Sequence, residues 1–154
     1  MKKYVFIIAL VIIALAAVNA NAEPPKGDPT IVLVKLDTSF NYNGKPMTEK
    51  DIAMGRGWIV GDDLKKVMDA KVGSFIRLTV SGTANLNWQT IGAVGVKRVD
   101  NEAKRINFAP KKGGTYTVDI DIDLLRKKIK GENEAIGVNI WGDHVINKVE
   151  LYLY

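Results

Sequence analysis

The chain of 154 residues contains no cysteine. That absence excludes disulfides, thiol catalysis, thiolate-held metals and a lipid-bearing cysteine at a processed N-terminus. A fold of this chain must therefore take its stability from a packed core. Histidine is nearly absent too: His144 stands alone, so an imidazole-built metal site has no second ligand. Long apolar runs are also scarce, and the only continuous one, Val5 to Val18, is ~14 residues, shorter than the roughly 20 that a spanning helix needs. No Gly-x-Ser-x-Gly elbow, P-loop or dinucleotide fingerprint occurs.

The apolar run follows Lys2 and Lys3 and precedes Ala20-Asn21-Ala22, the three-part pattern of a secretory leader cut after Ala22. Residues 1–22 read as a signal peptide, 23–30 (EPPKGDPT) as an extended, proline-rich lead-in, and 31–154 as one domain. The expected location is extracellular or periplasmic, with no membrane attachment after cleavage. Loss of the two leader lysines lowers the net charge from +5 to +3. The remaining basic residues are scattered among acids, apart from Arg126-Lys127-Lys128 with Lys130, and give no nucleic-acid footprint. The 132 residues after the leader suffice for one domain burying about two-thirds of its unfolded surface; a monomer is expected.

Strand signals dominate what remains. Ile31–Leu36 is apolar and β-branched, and Ser74–Ser81 alternates, with Ile76, Leu78 and Val80 expected inward and Arg77, Thr79 and Ser81 outward. Further strands are predicted over Leu86–Gly92, Val94–Val99, Lys104–Phe108, Thr115–Ile122, Ala135–Trp141 and Val145–Leu153, the last two joined by a hairpin-like turn at Gly142-Asp143. In that scheme the glycines of Gly92–Gly95 punctuate a hairpin and His144 is a solvent-facing turn residue. Short helices are expected after Thr48, whose partner is Asp51, after Asp62 or Asp63, and after Asp123 as cap of Leu124–Lys130. Many short strands with glycine-rich turns argue an all-β, two-sheet β-sandwich with one or two very short helices.

The succession SFIRLTVSGTANLNWQTIG, TYTVDIDIDLLRKKI and AIGVNIWGDHVINKVELYLY resembles the jelly-roll, galactose-binding-like carbohydrate-binding modules attached to, or secreted beside, polysaccharide-degrading enzymes. Ile76-Arg77 leading to Val80, Trp88-Gln89, the short helix at Leu124-Leu125, Gly137 to Gly142, and Ile146 to Leu151 carry the likeness, which spans Asp62–Leu153. Modules of this kind commonly have a glutamine near the position of Trp141, and Phe40–Trp58 has no counterpart pattern. The resemblance implies a jelly roll that binds a β-glycan (cellulose, xylan or a related plant polysaccharide) without catalysis, with glycoside hydrolases as partners. It also implies a structural calcium ion in many members, whose ligands in this chain are unassigned; no other cofactor is expected.

A sugar ring offers an apolar C–H face and a rim of hydroxyls, so its site needs an aromatic plate beside planar amides or charges. Strand alternation puts Ile136, Val138 and Ile140 on one side and Gly137, Asn139 and Trp141 on the other. The same outward face is expected to carry Arg77, Asn87 and Gln89. Trp88 shares parity with Leu86 and reads as core, unless a bulge near Asn85 exchanges the faces. Trp58 reads either as a rim platform or as a core plug, and Arg77 either as a ligand hydrogen-bonder or as half of a cross-strand ion pair. Asp119, Asp121 and Asp123 lie along one strand, where they cannot oppose each other across a substrate as glycosidase acids do, and they lack calcium-loop spacing. No enzyme is expected. The alternative is a secreted or envelope-associated β-sandwich that uses the Trp141 face to bind protein.

Overall fold

The structure, a computed structural model, describes residues 27–41, 43–82, 92–96, 105–129, 135–140, 142 and 144–154. The leader and the candidates Asn87, Trp88, Gln89 and Trp141 lie outside the described residues. Eight strands are present among them: β1 Thr30–Leu33, β2 Gly57–Ile59, β3 Phe75–Ser81, β4 Gly92–Val96, β5 Arg105–Phe108, β6 Thr115–Asp121, β7 Ile136–Ile140 and β8 Val145–Leu153. Three helices accompany them, α1 Glu49–Ala53, α2 Gly61–Asp69 and α3 Ile122–Arg126.

The strands form two antiparallel four-stranded sheets, sheet A in the order β1-β8-β3-β6 and sheet B in the order β2-β7-β4-β5. The pairs β1·β8, β2·β7, β3·β6 and β4·β5 are nested in sequence, as in one long hairpin with its tip at β4–β5. Rolling that hairpin brings β8 against β3 and β7 against β4. The result is a jelly-roll β-sandwich. Every link except β4 to β5 crosses between the sheets, so Gly142 lies in a crossover and not in the hairpin expected between the last two strands.

The apolar alternation sets the core. Ile76, Leu78 and Val80 of β3 are buried between partly exposed neighbours, as their parity requires, and meet Ile136, Val138 and Ile140 of β7 from the opposite sheet. In β8 the alternation is broken by a bulge: Thr79 pairs with Lys148 but Val80 pairs with Ile146, leaving Asn147 as the extra residue. The bulge lets Ile146 and Val149, three residues apart, both point inward. Val67 of α2 and Leu125 of α3 complete the core, and Arg126 of α3 donates to the carbonyls of Met68 and Ala70, which α2 leaves without partners.

Several local expectations are refined. Thr48 and Asp51 form a reciprocal capping box on α1. The cap of α3 is Asp121, not Asp123, because the helix begins at Ile122, two residues earlier than expected, and Asp121 Oδ1 accepts from the Asp123 amide. Asp62 and Asp63 occupy the first turn of α2, whose N-cap is Val60. Gly92 belongs to β4 and not to a hairpin turn; the ring of Phe108 fills the space a Cβ would need there.

His144 departs furthest from its expected role. It is 0% exposed. Its Nε2 lies 3.2 Å from the Lys111 carbonyl oxygen, and its ring meets Tyr116 edge-on at 6.5 Å. A carbonyl only accepts, so the proton sits on Nε2.

Two glycines in left-handed conformation separate backbone strain from crowding. Gly44 (φ +72°) has open space around it, whereas a Cβ on Gly55 (φ +68°) would collide with the Ile146 carbonyl. Gly44→Ala should cost about 1–2 kcal/mol from conformation alone, and Gly55→Ala distinctly more. Urea denaturation of both variants checks this; equal costs would contradict the Gly55–Ile146 contact.

Candidate functional site

The outer face of sheet B follows from strand register. Ile59 pairs with Ile136 and Val94 with Val138, all four in the core, so the residues between them face away from it. One cross-strand row is Trp58, Gly137, Gly95 and Arg105; the next is Asn139, Ala93 and Asn107. Gly137, Gly95 and Ala93 give this face a floor almost without side chains. Trp58 closes one end, and Arg105 and Asn107 stand at the other.

Trp58 is 1% exposed and lies outside the core cluster, on the outer face. The chain reaches it from β1 by crossing to the edge of sheet B, where Asp37 and Trp58 exchange backbone hydrogen bonds of 2.8 and 2.9 Å. Phe40 then folds over the indole, stacked at 5.2 Å and 21°, and its carbonyl accepts from Trp58 Nε1 at 2.7 Å. Trp58 is thus a plug beneath the Phe40 segment, and the open platform does not form. The tight turn after Phe40 holds that segment in place: Asn41 Oδ1 accepts from the amides of Asn43 and Lys45.

Arg56 also works on this face, and sequence reading passed it over. Its Nε and Nη2 donate to the Ile140 carbonyl at 3.0 and 2.7 Å, while Nη1 pairs with Asp51. The guanidinium therefore ties α1 to the end of β7. Hydrogen bonding from Thr48, helped by Arg56, holds the Asp51 carboxyl below its ordinary value against the opposing effect of burial.

Asn139 is 6% exposed, and its Oδ1 is buried without a donor. The outward parity expected for it holds, since it lies between Ala93 and the core-facing Val138 and Ile140. An acceptor in this state costs about 1–3 kcal/mol.

Arg77 does not share this face. β3 and β7 lie in different sheets, so the single outward surface expected to unite Arg77 with Asn139 is not formed. Arg77 instead pairs fork-to-fork with Asp119, Nε to Oδ1 and Nη2 to Oδ2 both at 2.7 Å, across the β3–β6 register. That pairing is the main cause of its raised pKa. Its guanidinium also lies over Phe75 and Tyr152, which stack at 4.7 Å and 11°. The parity that turned Arg77 outward also turns Phe75 outward two residues before it, a signal the sequence contained; only pairing shows Tyr152 opposite.

Comparison with known proteins finds no match. No family model fits the chain, and no curated protein or solved structure matches it. Function must therefore be argued from the two outer faces. Among the described residues no group of three or more His, Asp or Glu side chains is placed to hold a metal ion.

Asp51 makes one property of this region testable. Its folded pKa is lowered, so its stabilising contribution is complete above the ordinary carboxylate value and is lost as pH falls through the lowered one. Thr48→Ala removes the largest cause and should move that loss to higher pH, besides costing about 1 kcal/mol as a lost cap. Denaturant titrations between about pH 6 and pH 3 read both effects; a pH profile identical to wild type would refute the coupling.

Proposed function

We propose that this chain is a secreted, non-catalytic carbohydrate-binding domain that holds a β-glycan, such as cellulose, xylan or a related plant polysaccharide, on the outer face of sheet B. The observation that carries the reading is Asn139: a planar amide whose oxygen is buried without a donor, on a floor of glycine and alanine. Sugar hydroxyls are donors, and one of them would satisfy that oxygen. Asn107, exposed in the same row, adds an amide able to donate and accept. Trp141, two residues beyond Asn139 and of the same parity, is the aromatic plate of this proposal. The jelly-roll topology supports the reading only as a fold, since one fold serves many tasks.

The mechanism is adsorption. Stacking and amide hydrogen bonds would hold polysaccharide and raise the local concentration of a partner glycoside hydrolase on it, with no bond made or broken by this chain.

A protein-binding domain is the second reading, favoured by a different surface. On sheet A, Ile31 and Leu33 are 54% and 66% exposed beside the stacked Phe75 and Tyr152, an apolar patch of the kind that marks interfaces.

Affinity electrophoresis against cellulose derivatives, xylan, mixed-linkage glucan and glucomannan tests the first reading. Wild type should be retarded on at least one. Asn139→Ala and Trp141→Ala should each weaken retardation about tenfold or more, the size of a lost hydrogen bond to a buried amide or a lost stacking contact. No retardation of folded wild type on any glycan would remove the reading, and full retardation of Asn139→Ala would move the site elsewhere.

A further inference from the structure

The free edge of sheet A offers an interaction surface independent of the proposed glycan site. β1 is the outermost strand of that sheet among the described residues. The Val34 amide donates to the Val149 carbonyl at 2.9 Å, so Val34, and by alternation Val32, direct their backbone groups toward β8. Ile31 and Leu33 therefore direct their N–H and C=O groups away from the sheet, and no backbone bond to another described segment uses them. Their side chains, on the outer face, are the two most exposed of the large β-strand hydrophobics described. An open edge with apolar side chains is a template for a further strand.

We propose that the strand it receives is β1 of a second copy of this chain. An antiparallel pair centred on Val32 sets Ile31 against Leu33 of the second copy, and Leu33 against its Ile31. The N–H and C=O groups directed outward from each then meet, and the two-fold repeats every contact. Pro29 lacks an amide hydrogen and ends the ladder at the strand's start, which limits pairing to this short register. Charge selects the same arrangement. In it Lys35 lies across from Pro29 of the second copy, beside that copy's Asp28, at both ends of the contact. Lys35 and Asp28 are exposed, and neither has an ionic partner among the described residues. The two sheets A become one continuous eight-stranded sheet, and the monomer expected from the sequence becomes a reversible dimer.

Sedimentation velocity of the host-processed protein across concentration tests this. One short strand per copy is a small contact, so half-dimerisation is expected between about 10 and 500 μM. Leu33→Lys, at a position exposed in the single copy, should leave the melting temperature within a few degrees and weaken dimerisation at least about tenfold. Lys35→Asp and Asp28→Lys should each weaken it about three- to tenfold, and the double swap should restore it. A monomer at about 1 mM, or a dimer indifferent to Leu33→Lys and to the charge swaps, overturns the proposal. So does a monomer whose edge is instead cross-linked, in a Leu33-dependent way, to a different protein. Glycan retardation is read separately on Asn139→Ala, so failure of either proposal leaves the other standing.

Discussion

The sandwich depends on β8 lying between β1 and β3. It is the strand that ties the start of the described chain to its end, with β1 in register from Thr30↔Leu153 to Leu33↔Glu150 and β3 from Phe75↔Tyr152 to Ser81↔Val145. Because all three strands carry inward residues at matching register positions, their apolar faces close on sheet B as one surface. The bulge at Asn147 is the adjustment that keeps this possible: it moves Ile146 into the core while Lys148 and Glu150 stay outside. Asn147 then uses its amide on the outside, donating to Ser81 Oγ at 2.6 Å. A strand with uninterrupted alternation would have buried a lysine or exposed an isoleucine at that end.

Sheet B is finished differently. One of its two inner strands, β7, is buried along its whole length, Gly137 and Asn139 included. The outer face around it is closed at one end by Trp58 beneath Phe40 and held at β7's end by Arg56 on the Ile140 carbonyl. These groups come from one stretch, residues 37–58, that leaves sheet A and runs across to sheet B. The buried amide of Asn139 sits within this framework, where a polar group without a partner is retained only at a cost in stability. Such groups mark places where a fold serves something other than its own stability.

The local parts of the fold were legible because short-range physics decides them. β3 alternates by sequence and by burial, Val145–Leu153 is a strand over the span its residues indicate, and Thr48 with Asp51 makes the box its spacing implies. Asp121 took the capping role from Asp123 because β6 ended there and its carboxylate reached the Asp123 amide. The candidate site was less legible. Asn139 faces outward as its parity says, but outward did not mean exposed; Trp58 is buried beneath Phe40 on the outer face, neither rim platform nor core plug, and Arg77 pairs with Asp119.

By itself the sequence determined which residues of β3 alternate, that Thr48 and Asp51 cap a helix, and that without cysteine the core alone must hold the domain. Tertiary structure decided which strands share a sheet, and with that whether two outward residues share a surface. A period of two assigns each side chain to one of two faces of its own strand, and no more. Arg77 and Asn139 have the same local pattern and lie in opposite sheets, because the nested long-range pairing that rolls the chain places β3 beside β8 and β7 beside β4. His144 shows the same limit at a single residue: flanked by turn-forming neighbours in sequence, it is buried because a crossover between sheets carries it past Tyr116 and the Lys111 carbonyl.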